Sequence, residues 1–207
     1  MTDRQIAGKV AVLVANEGIE QVELTEPWLA LEKAGAEPEL VAPKAGRAQA
    51  MNHLDKAETF PVDRVVSEAD PDDYVALMLP GGVANPDALR TDPDAVAFAR
   101  SFFEAGKPVA AICHAPWTLV EADVVRGRTL TSWPSLRTDI RNAGGTWVDE
   151  QVHNDHGLVT SRKPDDLPAF CAKMVEEFAE GRHPVRVYRP QTGRADGGEG
   201  VGPPTPG

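Results

Sequence analysis

Short apolar runs, each broken off by a turn, constrain this 207-residue chain more than any other feature. Val10 to Ala15, Tyr74 to Leu79 and Val109 to Ile112 are continuous apolar stretches of strand length. A strand covered on only one face would alternate apolar with polar residues, so unbroken runs predict strands buried on both faces. Between the first run and Glu39 to Ala42, the apolar positions Val22, Leu24, Trp28, Leu29 and Leu31 predict a helix over Gln21 to Ala34, closed by Gly35. Strand, helix and strand within forty-odd residues make a βαβ unit and hence a parallel sheet with helices on both faces.

The remaining pattern continues this alternation. Asp92-Pro93 opens a helix to Ala105, with Asp92 as the cap and Gly106 as the stop. Short strands are predicted at Gly127 to Thr131 and Trp147-Val148, with a helix at Ser135 to Ala143. Val152 to Thr160 reads as a hairpin turning over Asn154 to Gly157. Leu167, Phe170, Cys171, Met174, Val175 and Phe178 form one helical stripe, which gives Cys171 a structural role. Lys44 to Asp55 shows no period, and Pro61 confines Thr59 to Asp63 to an edge strand. The expected organisation is a leader over 1–8, a single domain over 9–182 and a disordered tail over 183–207. Six glycines and three prolines after residue 190 leave that tail too little apolar surface to offset its ordering entropy.

Charge and composition exclude several functions. A formal charge of −11 lacks the basic footprint that nucleic acid or an anionic membrane surface requires. No apolar run reaches the roughly eighteen residues of a membrane span, and MTDRQIAGK has no signal-peptide core. Two cysteines fit a reducing compartment, so a cytoplasmic location is expected. His153 and His156 lack the spacing and further ligands of a metal site and read as a solvated hairpin tip. No GxGxxG or GxxxxGK follows the Leu79-Pro80-Gly81-Gly82 turn, so nucleotide binding is unsupported, and no cofactor is expected.

The chemistry concentrates in PVAAICHAPW, Pro108 to Trp117. Cys113 falls where a buried strand must stop, and Pro116 suits the first turn of a helix. Ala111 and Ala115, two residues to either side, are as small as a nucleophile elbow requires. An isolated cysteine is more often a small core residue. A histidine beside it and small flanking residues favour a reactive thiol, whose pKa a helix N-terminus is expected to lower. Backbone N–H groups of the Gly81-Gly82 turn and of the elbow are suited to an oxyanion. Such a thiolate, with an imidazole in reach, attacks carbonyl carbon in an amide, a peptide or an aldehyde.

Five segments in order also carry a resemblance: VAVLVANEGIEQVEL from Val10, LMLPGG from Leu77, GKPVAAICHAP from Gly106, RGRTLTSWPSLRTDIRNAGGTWVD from Arg126 and LVTSRKPDDLPAF from Leu158. Together the chain resembles the ThiJ/PfpI family, a branch of the class I glutamine amidotransferase-like superfamily that includes the PfpI peptidases and the parkinsonism-associated deglycase. The resemblance implies a flavodoxin-like three-layer α/β sandwich with a mostly parallel central sheet and a nucleophile elbow. It assigns Cys113 as nucleophile, His114 as its histidine, Glu20 as the carboxylate contacting the thiol, and Gly82 with the His114 amide as oxyanion donors. Asp87 is the nearest match, after a one-residue offset, to a carboxylate supplied by a neighbouring subunit in a homodimer or higher oligomer. Trp117 stands where the family often has glutamine and is expected to wall the pocket. Trp133 stands where the deglycase branch has histidine, which favours the PfpI arrangement. The implied function is a stress-response cysteine hydrolase of peptide, amide or small-molecule carbonyl substrates. The alternatives are a glyoxalase or protein deglycase acting on methylglyoxal adducts, and a redox sensor or chaperone using Cys113 oxidation.

Overall fold

The computed structural model describes residues 5–185. The chain runs β1 (Lys9–Leu13), β2 (Glu17–Glu20), α1 (Gln21–Lys33), β3 (Glu37–Ala42), β4 (Arg47–Asn52), β5 (Asp55–Pro61), β6 (Arg64–Val65), β7 (Tyr74–Leu79), α2 (Ala84–Leu89) and α3 (Pro93–Glu104). It continues through β8 (Val109–Ile112), α4 (Pro116–Glu121), β9 (Thr129–Leu130), α5 (Arg137–Asn142), β10 (Thr146–Trp147), β11 (Val152–Asp155), β12 (Leu158–Ser161) and α6 (Leu167–Glu180). Seven strands form one sheet in the order β11-β12-β8-β7-β1-β3-β6. Every neighbouring pair is parallel except β11 with β12.

The apolar runs occupy the middle of this sheet because both of their faces are covered. Val10, Val12 and Val14 point into one core, with Leu24 and Leu31 of α1 and Phe170, Met174 and Phe178 of α6. Ala11, Leu13 and Ala15 point into the other, beneath Phe98 and Phe102 of α3 and Leu119 of α4. Burying each large side chain contributes roughly 1.5–3 kcal/mol, so neither face tolerates a polar run. At α3 the Asp92 carboxylate accepts from the Ala95 N–H at 2.9 Å, with Pro93 in the first turn, as its sequence predicts. Cys171 is half-buried on the flank of the α6 stripe, where burial raises its thiol to about 11.

Three segments differ from the sequence reading. β4 and β5 form a hairpin that leaves the main sheet and joins β2 in a separate three-stranded one. Only Ala48 and Ala50 of this hairpin are buried, so there was no apolar period to find. α2 is a six-residue helix, too short to show one. The β11–β12 turn closes on His156 and Gly157, both at positive φ, as a two-residue hairpin demands.

The ends of the described chain are tied down beyond the expected domain limits. Ile6, in the expected leader, is buried, and its N–H donates to the Ala34 carbonyl at 2.8 Å. His183, in the expected tail, donates its N–H to Gly106 and lies 2.8 Å from the buried Glu177. This anchor sits at the amino ends of β8 and β12, against Gly106 and Gly157. Most of the expected tail lies outside the described residues.

Candidate active site

β1 runs on to β3 on one side, while β7 and β8 lie on the other, so the sheet has its topological switch point between β1 and β7. Open α/β sheets bind ligands at the carboxyl ends of the strands around such a point. Cys113 immediately follows β8 at that edge. Its φ is 63°, a left-handed conformation costing a non-glycine residue about 1–2 kcal/mol. The surroundings impose it. Cys113 donates its N–H to the Ser161 carbonyl at 3.1 Å and accepts from the Trp133 N–H at 2.9 Å, while Ala115 N–H closes on Ile112. Ala111 and Ala115 are both buried, as the elbow requires.

Sγ of Cys113 lies 3.1 Å from Nδ1 of His114. Nε2 of that ring faces Oγ of Ser135 at 3.4 Å, a partner the sequence reading did not single out. If Nδ1 is to accept the thiol proton, the ring's own proton sits on Nε2, towards Ser135. Trp117 and Trp133 flank the imidazole, with ring centres 5.4 and 5.7 Å away. Burial holds the imidazolium down to a pKa of about 4, so His114 is neutral near pH 7 and available as a base.

The carboxyl at the thiol belongs to Glu23, where Glu20 was expected. Glu23 is wholly buried in the first turn of α1, and burial pushes its pKa up to about 8. Its oxygens have no hydrogen-bond partner of ordinary geometry, although the Cys113 thiol and the Gly81 and Gly82 amides come close enough to favour its charged form. Glu20 instead ends β2 and accepts the His53 N–H at 3.1 Å. No hydrogen bond joins it to Cys113 among the described residues. The helical period carried a signal for Glu23: with Pro27 and Leu31 it falls at i, i+4 and i+8, on the buried stripe.

The expected lowering of the thiol pKa is reversed for the isolated group. Burial first, then the charge of Glu23, push Cys113 above the ordinary thiol value, while the Gly82 and His114 N–H groups pull it down. α4 spans only six residues and begins with Pro116, which has no N–H to offer. A thiolate therefore forms most readily when Glu23 holds its proton and His114 accepts the one leaving sulfur.

The Gly81-Gly82 turn fits around these groups without room for side chains. A Cβ on Gly81 would lie 2.6 Å from Cβ of Cys113 and collide with Glu23. Gly82, at φ 86°, packs against the backbone of Gly18 and Glu20. Asn85 holds the turn: its Oδ1 accepts from the Ala15 N–H at 2.7 Å and its Nδ2 donates to the Pro80 and Gly81 carbonyls. No sequence signal marked this buried residue.

Cys113 and His114 open onto a cavity of about 350 Å3 lined also by Glu20, Glu23, Gly82, Met51, Leu54, Val83, Trp133 and Pro164. Trp117 does not wall it, contrary to expectation. That ring lies behind His114, its Nε1 donating to Asp139 at 2.7 Å and its face covered by Arg90. Trp133 is the aromatic wall. Asp87 is exposed on α2, in a depression shared with Arg90, Arg100 and Glu121, and does not line the Cys113 cavity of its own chain. His153 pairs with Glu150, and His156 lies at the hairpin tip.

A doubly wound α/β sandwich carrying a cysteine on a strained elbow, with imidazole and a buried carboxyl at the sulfur, defines a class of cysteine-centred proteins. Residues 8–177 match the model of the DJ-1/PfpI family. The chain belongs to that family. It is 44% identical over 163 residues to protein/nucleic acid deglycase 2 of Escherichia coli, covering 78% of this chain and 92% of that one. It is 41% identical over 162 residues to YraA of Bacillus subtilis, whose name provisionally calls it a cysteine protease, covering 78% and 93%. Among solved structures, Drosophila melanogaster DJ-1beta superposes with a TM-score of 0.74 at 28% identity, over 83% of this chain and 90% of that one. An Anabaena variabilis protein with DJ-1/ThiJ/PfpI-like and ferritin-like domains gives 0.77 at 32% identity, over 82% of this chain and 47% of that one. The chain therefore spans about half of that two-domain protein.

Proposed function

We propose that the protein is a cysteine-dependent enzyme of carbonyl compounds, acting on α-oxoaldehydes such as methylglyoxal or on their adducts. One observation carries the reading: the Cys113 sulfur lies 3.1 Å from a neutral imidazole, with a buried carboxyl that keeps its proton near pH 7 close by. His114 Nδ1 takes the thiol proton, and sulfur adds to the aldehyde carbon. The oxygen receives the Gly82 and His114 N–H groups and then the proton. His114 removes the proton from the resulting hemithioacetal carbon while the Glu23 carboxyl protonates the neighbouring ketone oxygen, giving an enediol. His114 then returns its proton to that neighbouring carbon, and the first hydroxyl gives its proton to the Glu23 carboxylate as the thioester carbonyl forms. Water cleaves the thioester and frees Cys113. The net change is addition of one water, giving an α-hydroxy acid.

The same groups suit acyl transfer from a peptide or amide, the hydrolase reading. The cavity of about 350 Å3 suits a small carbonyl compound or an adduct carried on a side chain; the E. coli relative's name supports the adduct reading, and the B. subtilis relative's name supports the hydrolase reading. A redox role draws on the same geometry, since the Glu23 acid and two amides are placed to hold a sulfinate on Cys113. We extend the proposal to a cytoplasmic, stress-responsive homo-oligomer in which the exposed Asp87 reaches a neighbouring protomer's site. Light scattering, with the activity of Asp87→Ala, tests that extension.

The deciding experiment is methylglyoxal consumption with product identified, for the wild type and for Cys113→Ala. Conversion to lactate that disappears in Cys113→Ala is the expected result. No conversion by protein whose Cys113 is shown to be reduced overturns the dicarbonyl reading and directs the search to peptides and peroxide.

A further inference from the structure

The mouth of the Cys113 cavity has an uneven chemistry. In the single protomer Leu54, Val83 and Trp133 are 93%, 58% and 38% exposed, three of the six large hydrophobic residues exposed among those described, and all three line this cavity. Leu54 stands at the tip of the β4–β5 hairpin, Val83 on the turn after β7 and Trp133 beside His114. Glu20 adds a carboxylate to the wall, its side chain only 12% exposed and its Oε2 fixed by the His53 N–H. Among the described residues no lysine or arginine lines the cavity; His53 does, its ring 87% exposed with Nδ1 3.9 Å from Glu20 Oε2, and the chain carries a net charge of −11. An apolar seat is thus joined to a carboxylate, and the described wall offers an anion no permanently charged cation, since its one basic side chain besides His114 is the His53 imidazole that already faces Glu20.

We infer that the cavity selects uncharged α-oxoaldehydes with an apolar substituent and turns away those carrying a carboxylate, Glu20 acting as the charge filter and Leu54, Val83 and Trp133 as the seat. The substrate class rests on the function proposed above; the filter itself rests on the walls. Like charges repel across the partly desolvated mouth, whereas apolar surface gains by leaving water. Salt weakens the first effect and leaves the second in place.

Two measurements on the full chain separate the filter from the enzymology. The first compares alkylation of Cys113 by iodoacetamide and by iodoacetate, followed by mass spectrometry of the Cys113 peptide. The neutral-to-anionic rate ratio should exceed that of a small free thiol at least tenfold, fall with added salt and fall in Glu20→Gln. A ratio equal to the free thiol's overturns the filter, whatever the enzyme turns over. The second compares kcat/KM for dioxovalerate and its methyl ester. The ester should be favoured at least tenfold, chiefly through KM, and Leu54→Ser, at a site too exposed to endanger folding, should lower the ester's kcat/KM severalfold. Equal kcat/KM values, or no effect of Leu54→Ser, overturn the specificity. Selective alkylation without turnover of either compound overturns the substrate class and the dicarbonyl reading while leaving the filter.

Discussion

The Sγ of Cys113 and the Nδ1 of His114 are 3.1 Å apart although they belong to consecutive residues. Consecutive side chains on a strand point to opposite faces, and on a helix they diverge by roughly 100°. Only the left-handed turn at Cys113, φ 63°, brings this pair together. The strained backbone is thus part of the proposed chemistry.

The pH dependence of kcat/KM should reflect these two residues and Glu23. A general base must be unprotonated, so activity should rise with pH through about 4, well below the range of an exposed histidine. It should fall above about 8, as Glu23 loses the proton that favours the thiolate. A pH–rate profile on methylglyoxal checks both limbs.

His114→Ala should abolish turnover while Cys113 remains slowly oxidisable by peroxide, because the backbone N–H groups of residues 82 and 114 that favour the thiolate survive the substitution whereas the base of each proton transfer does not. Turnover assays alongside intact-mass measurement of peroxide-treated protein check this. Equal loss of both would show that His114 also governs access to the thiolate.

Glu23 should make folding stability depend on pH with a defined sign. Its folded pKa lies above the ordinary value of 4.5, so its contribution is fully present below 4.5 and is lost as pH rises through about 8. Denaturant unfolding across that range should show stability declining with pH. Glu23→Gln, which cannot ionise, should flatten that part of the dependence.

Gly81→Ala should disable the site through its packing. The new methyl meets Cβ of Cys113, the Ile112 carbonyl and the Glu23 carboxyl, and overpacking of this kind costs about 1–3 kcal/mol. A lowered Tm with loss of Cys113-dependent turnover is the expected pair of results.

Asn85→Ala should loosen the same turn from behind. It removes an acceptor for the Ala15 N–H and a donor to two carbonyls in a fully buried setting. Leaving buried groups unsatisfied costs roughly 1–3 kcal/mol. Calorimetry should show that loss, and kcat should drop because Gly82 no longer holds its N–H in place.

The elements with a repeating period were legible in the sequence. The apolar runs gave the central strands, the 170, 174 and 178 spacing gave α6, and Asp92-Pro93 gave the start of α3. The hairpin from Arg47 to Pro61 was not, because its few buried residues are alanines and its pairing is made by backbone groups that every residue carries.

At the site, sequence alone determined the residues whose neighbours along the chain define their setting: Cys113 at the end of an apolar strand, His114 beside it, and the alanines that let the turn close. Tertiary structure decided which distant groups surround them. Glu20 and Glu23 are three residues apart, one ending a strand and the other beginning a helix. Which of them meets the thiol depends on the angle at which α1 docks on the sheet. Trp133 lines the cavity where Trp117 was expected to, for the same reason, since an aromatic ring reads alike whether it lines a cavity or backs a histidine. Local patterns follow from steric and hydrophobic preferences along one segment, whereas a partner across the fold is fixed only when the two cores pack the helices onto the sheet.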